Sequence, residues 1–258
     1  MSIGNGFCDD LYALELLRPD ICDADYTTLQ LEARIHTLKT SSLHTYKTYL
    51  VFDFYKRNFS YVSNNPLFLF QNSADVVMNE GIAFYEKRIE DTEKAFLYRM
   101  YRSAVCFLQR VPPEERANYT LSYNVNVLDS QNRTLLLNNK VSSLATTPTG
   151  KLWLVFCTVS LALSQKSRIA IIQNSTTEQA WEYNDGSDTW REFTISELSE
   201  CERLTIHLSR QGYSVSDIAE RLCKSEDAIK KYRKDLFTKL EASNITEAVA
   251  LAVDMRLV

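Results

Sequence analysis

Near the start of the chain, apolar positions return at helical spacing. Leu11, Leu14 and Leu17, then Leu29, Ala33 and Leu38, predict helix over about 7–43. From Thr45 the period changes. The runs TYKTYLVFDFY and NFSYVS are rich in aromatic and β-branched residues and are separated by Lys56 and Arg57, which predicts a hairpin ended by Asn64, Asn65 and Pro66. Short helical pieces follow, then a long helix over about Glu90–Gln109 that Pro112 and Pro113 stop. Three strand-like runs come next, Asn118–Leu128, Arg133–Ala145 and Lys151–Leu163, joined by the turns DSQN and TPTG. They predict an antiparallel meander, to which Arg168–Gln173 adds a further strand. The polar stretch NSTTEQAWEYNDGSDTWREF reads as a connector, and its tryptophans, Trp181 and Trp190, imply that it docks on a surface.

Beyond the connector the period is helical throughout. Ser199 with Glu202 is a capping-box pattern, and Ser214 with Asp217 is a weaker one. Gly212 supplies a left-handed stop for the first helix. A short helix over about Ser216–Leu222 buries Ile218, Ala219 and Leu222. Cys223 and Lys224 then turn into the stretch Ser225–Leu240. That stretch has two dissimilar faces. Ile229, Tyr232, Leu236 and Leu240 share one side, while Lys230, Lys231 and Lys234 form an outward stripe at i, i+1, i+4. A last helix, about Thr246–Leu257, closes the bundle with Ala248, Val249, Leu251 and Ala252. Four short helices with a basic third helix entered by a tight turn describe a helix-turn-helix unit.

Composition narrows the reading. Of 258 residues, 45% are hydrophobic and 24% charged, ordinary values for a globular protein, and a net charge of −4 argues against a generally polyanion-seeking one. Residues 194–258 hold ten Lys and Arg against eleven Asp and Glu, so any affinity for nucleic acid rests on local charge placement. The first twenty residues have no basic leader, and no apolar run reaches bilayer length; the expected location is the cytoplasm, with no membrane partner. The six cysteines, Cys8, Cys22, Cys106, Cys157, Cys201 and Cys223, form no CxxC pair and no cluster with histidine. Neither a metal site nor a disulfide framework is therefore expected. No catalytic constellation is visible either, and the βαβ alternation of a receiver domain is absent.

Residues 198–249 resemble the LuxR-type helix-turn-helix domain of bacterial transcription factors. The resemblance rests on Leu198, Ser199 and Glu202; Gly212, Ser214, Ile218, Ala219 and Leu222; Ser225, Ala228, Ile229 and Lys230; Lys239 and Leu240; and Glu247, Ala248 and Val249. It implies that Lys230, Lys231 and Lys234 read base edges in the major groove and that Ser225, Arg233 and Lys239 contact phosphates. It also implies double-stranded DNA as partner, a homodimer on a two-part site, and contact with RNA polymerase. Three positions depart from the pattern. Glu241 replaces the usual glycine, Lys224 an aliphatic residue and Cys201 an arginine.

The order of hairpin, small helices, long helix and meander over about 45–163 resembles a PAS domain. The expected class is α+β: an N-terminal helical segment at 1–44, a PAS-like sensor domain at 45–173, a linker at 174–195, and the helix-turn-helix domain at 196–258. A PAS-like sheet leaves an apolar hollow for a small-molecule ligand, and Phe52, Phe54, Tyr61, Tyr123 and Trp153 are the candidates to line it; the alternative is that these side chains fill the core. The segment Cys106-Phe107-Leu108-Gln109 is similar to part of a photoactive flavin motif but lacks its asparagine and arginine, so no cofactor is expected. The expected function is a sequence-specific transcription regulator; the alternative is a regulator acting mainly through protein contacts.

Overall fold

The computed structural model describes residues 14–22, 25, 31–163, 166–177, 179–193, 198–254 and 257. It has two compact units: Met1–Ala162 with Lys166–Phe193, and Thr194–Val258 with Leu163–Gln165.

The larger unit is built on one antiparallel sheet of eight strands. The strands are β1 (Thr48–Asp53), β2 (Asn58–Val62), β3 (Tyr119–Leu128), β4 (Thr134–Thr146), β5 (Leu152–Leu161), β6 (Ala170–Asn174), β7 (Ala180–Asn184) and β8 (Thr189–Phe193). Their spatial order is β2-β1-β5-β4-β3-β6-β7-β8. The first five form a PAS-like sheet. Between β2 and β3 the chain makes α2 (Ala74–Glu80), α3 (Ala83–Glu86) and the long α4 (Asp91–Gln109), which the Pro112-Pro113 pair ends. Phe84, Phe96, Leu97, Met100 and Val105 of these helices are buried with Leu50, Phe52, Val125, Leu137 and Val155 of the sheet, so the main core lies between helices and sheet.

The opposite face of the central strands is also covered. Helix α1 (Leu31–Ser42) sets Leu31 and Leu38 against a second cluster of Val51, Trp153 and Leu154, and Arg34 Nη1 donates to the Leu144 carbonyl at 2.8 Å. This explains why β1 and β5 read as near-continuous apolar runs rather than alternating ones. The helix predicted over 7–43 is interrupted within its described part. Glu15–Leu17 is a 3-10 turn and Arg18–Cys22 is irregular around Pro19, while Asp25 and α1 (Leu31–Ser42) are helical. The remainder of that prediction, including Leu11 and Leu29, lies outside the described residues.

The stretch read as a connector is largely sheet. Strands β7 and β8 extend the meander, and Trp181 and Trp190 rest on Phe107 of α4, with ring centroids 5.0 and 6.2 Å away. Arg99 of α4 pairs with Asp185 and, at 3.4 Å, with Asp188 in the β7–β8 turn. The polar composition reflects solvated faces and a tight turn at Asn184–Ser187, while the two tryptophans supply the apolar side. Residues 178, 194 and 195 of that predicted linker lie outside the described residues.

The smaller unit has four helices: α5 (Glu200–Arg210), α6 (Val215–Arg221), α7 (Glu226–Lys239) and α8 (Ile245–Asp254). Both capping boxes form as read, Ser199 with Glu202 and Ser214 with Asp217. Three helices end in the same way. The N–H of Tyr213, Lys224 and Ala242 donates to the carbonyl five residues back, after Gly212, Cys223 and Glu241 at φ of 87°, 51° and 51°. Only the first of these three left-handed positions is a glycine.

Candidate nucleic-acid interface and ligand cavity

Helix α7 is fixed from below. Ile229 and Leu236 are fully buried, the first with Ile218 and Ala219 of α6, the second with Ile206 of α5 and Ala248 and Ala252 of α8. Ser225 caps it, its hydroxyl accepting the Ala228 N–H at 3.2 Å. A side chain seven residues from another on a helix returns to nearly the same side, so these two anchors set which face is presented outward.

On that outward face Lys230, Lys231 and Lys234 are exposed. Lys230 Nζ lies 3.2 Å from Asp227 and 3.7 Å from Glu226, two acids in the first turn of the same helix. Lys231 and Lys234 make no ion pair among the described residues, so their ammonium groups are open to an external anion.

The other two proposed phosphate ligands turn elsewhere. Arg233, four residues after Ile229 and three before Leu236, is drawn to the packed side, where its Nη2 donates to Ser209 Oγ at 3.3 Å. Lys239, three residues after Leu236, reaches Glu202 of α5 at 2.8 Å. Glu202 is only 3% exposed. Burial by itself raises its pKa, but the Lys239 ammonium and the Ser199 hydroxyl and N–H outweigh it and hold the carboxyl below its usual range. Glu202 thus closes the α5 cap and ties α5 to the end of α7. The helical offset from Ile229 and Leu236 turns Arg233 toward the packed side, whereas Lys239 lies on the flank of the helix and is exposed.

In the larger unit a cavity of about 270 Å³ lies between the sheet and the helices. Of the five predicted lining residues it takes Phe52, Phe54 and Tyr123. Tyr61 and Trp153 do not reach it. Tyr61 pairs across the sheet with Val51, whose side chain belongs to the opposite face, and Trp153 falls where β5 slips register against β4. Both pack under α1, because a one-residue change of parity moves a side chain through the sheet.

The wall is chiefly aliphatic and aromatic, with a few polar groups among its lining residues. The Tyr101 and Tyr123 hydroxyls bond each other, and the Cys157 thiol lies 3.9 Å from Asn139 Oδ1. Burial pushes that thiol up to about 12, so it stays protonated and unreactive at neutral pH. Arg116 Nε donates to the Leu108 and Val111 carbonyls at 3.1 Å each, and its Nη1 donates to the Gly150 carbonyl. Tyr85, which sequence reasoning missed, also lines the cavity. It stands on the four-residue helix α3, too short for a periodic signal. Cys106 is exposed on α4 and takes no part in the wall.

Among the described residues no group of three His, Cys, Asp or Glu side chains is placed to hold a metal, and no helix is long and apolar enough to cross a membrane.

A buried-footed basic helix entered by a tight turn from a shorter one defines a helix-turn-helix DNA-binding domain. Residues 196–252 match the family described as bacterial regulatory proteins, luxR family, and form a LuxR-type domain. No curated protein matches the chain. Among solved structures, a phage VqmA–DPO complex is similar at 14% identity, covering 88% of this chain and 91% of that one with a TM-score of 0.29. A Vibrio cholera VqmA–ligand–DNA complex is similar at 12% identity, covering 81% and 83% with a TM-score of 0.28. The N-terminal domain of a diguanylate cyclase with PAS/PAC sensor from Marinobacter aquaeolei is 8% identical, covering 45% and 94% with a TM-score of 0.33.

Proposed function

We propose that this protein is a cytoplasmic transcription regulator that reads DNA with α7 and responds to a small molecule held in the cavity of the larger unit. The reading is carried by one observation: Lys231 and Lys234 project from a helix whose opposite side is locked by two fully buried residues. Held in this way, the ammonium groups keep a fixed register against base edges. Lys230 joins them once DNA phosphates compete with Glu226 and Asp227. Ser225, at the positive end of the α7 dipole, contacts a phosphate. Arg233 and Lys239 act as braces rather than phosphate ligands.

Ten cationic against eleven anionic side chains over 194–258 make one domain a weak binder, so the protein acts as a homodimer on two half-sites, about 10 base pairs apart centre to centre. RNA polymerase is the partner through which a bound regulator acts. The same charge balance favours a second reading, regulation through protein contacts without DNA. Selection from a random DNA pool by the full chain separates the two. Enrichment of a two-part sequence supports DNA reading; enrichment of none supports the alternative.

A further inference from the structure

The hydrogen-bonding capacity of the cavity wall is mostly used up within the protein. The Tyr101 and Tyr123 hydroxyls bond each other, Asn139 Oδ1 accepts from the Cys157 thiol, and Arg116 is spent on three backbone carbonyls. Tyr85 differs. Its Oη is buried and meets no hydrogen-bond partner among the described residues, and it is the one such buried side-chain group on this wall. Its ring is held edge-on to Phe59, Phe70 and Phe84, with centroids 5.0 to 6.4 Å apart, so the hydroxyl cannot swing away to water. Burial also raises its pKa, and the nearby Cys157 thiol adds to that, keeping the phenol a donor at any physiological pH. An unpaired buried hydroxyl is a standing penalty unless something else bonds it.

We infer that Tyr85 is the residue by which the cavity selects its ligand: its hydroxyl donates to an acceptor atom on an uncharged, ring-containing molecule. The inference rests on the reading of this cavity as the signal site. The size fits, because a dry apolar cavity of about 150 Å³ already admits benzene. Aromatic side chains on the wall, among them Phe52, Phe54, Phe59 and Tyr123, suit a flat ring. Charge of either sign is disfavoured, because a chiefly apolar wall leaves an ion desolvated and the wall's guanidinium is already engaged by carbonyls.

The test uses the full chain, wild type and Tyr85→Phe, with three probes titrated by NMR: acetophenone, α-methylstyrene, which has the same shape without the oxygen, and benzoate. The ratio of acetophenone to α-methylstyrene affinity should fall roughly five- to tenfold in Tyr85→Phe, the worth of one hydrogen bond. Benzoate should bind neither protein. Without probe, Tyr85→Phe should unfold at the same or a higher temperature, since it removes an unsatisfied group; a merely structural hydroxyl would give a lower one. An unchanged ratio, a destabilised ligand-free variant, or benzoate binding equal to that of acetophenone overturns the inference while leaving the cavity a ligand site. Failure of all three probes to bind the wild type overturns both.

Discussion

In the helical unit the side chains proposed to read DNA come from a single helix, Glu226–Lys239, whereas the cavity wall of the sheet unit draws on residues from Leu17 to Ile172. The first site is exposed, charged and set by the offset of each residue from Ile229 and Leu236. The second is chiefly apolar and set by strand parity across a sheet whose central strands are buried on both faces. A site carried on one helix inherits its geometry from local periodicity. A site under a sheet inherits it from register, which a single bulge changes.

The contrast can be broken by attacking what holds each plan in place. The largest stability effect is expected at Glu202, which joins a helix cap to the far end of the reading helix. Glu202→Gln should cost about 1–3 kcal/mol at neutral pH, because Lys239 loses its charged partner and the cap weakens. The sign with pH follows from the lowered carboxyl. Its contribution is fully present above the ordinary glutamate pKa of about 4.3 and disappears as pH falls through the lower folded value. Denaturant midpoints measured from pH 6 to pH 2 should therefore converge for the two proteins at the acid end. Parallel curves would mean that the pair does not bridge α5 and α7.

A smaller effect of opposite sign is expected at the helix ends. Glu241 and Cys223 occupy left-handed positions that a side chain disfavours, so Glu241→Gly and Cys223→Gly should each raise stability by about 0.5–1 kcal/mol. Thermal unfolding checks this, and a loss on either substitution would show that the native side chain contributes more than the backbone strain costs.

Much of the architecture was legible. The hairpin, the long helix and the three meander strands lie within three residues of their expected bounds, because proline, turn dipeptides and long apolar runs mark them. Strands β7 and β8 were not, since five-residue strands with one solvated side carry the composition of a loop. On the basic helix, Lys231 and Lys234 follow from periodicity alone. Arg233 and Lys239 were read as phosphate ligands from their charge alone; the structure gives them partners in Ser209 and Glu202. In the cavity, Phe52, Phe54 and Tyr123 were reached, but Tyr61 and Trp153 were not distinguishable from them while both faces of β1 and β5 were apolar. The left-handed Cys223 and Glu241 carried no residue-type signal at all, since glycine is what marks that conformation.

The central claim is that α7 reads DNA through its unpaired lysines. Its most direct test is the affinity of Lys231→Glu for a sequence selected by the wild type, titrated over a series of salt concentrations beside Lys94→Glu on α4. Lys231→Glu should keep its helical content, lose roughly tenfold to a hundredfold or more in affinity, and show a salt slope shallower by at least about 1. Lys94→Glu should stay within about twofold of wild type. Equal affinity and equal salt slope for Lys231→Glu and wild type would contradict the account.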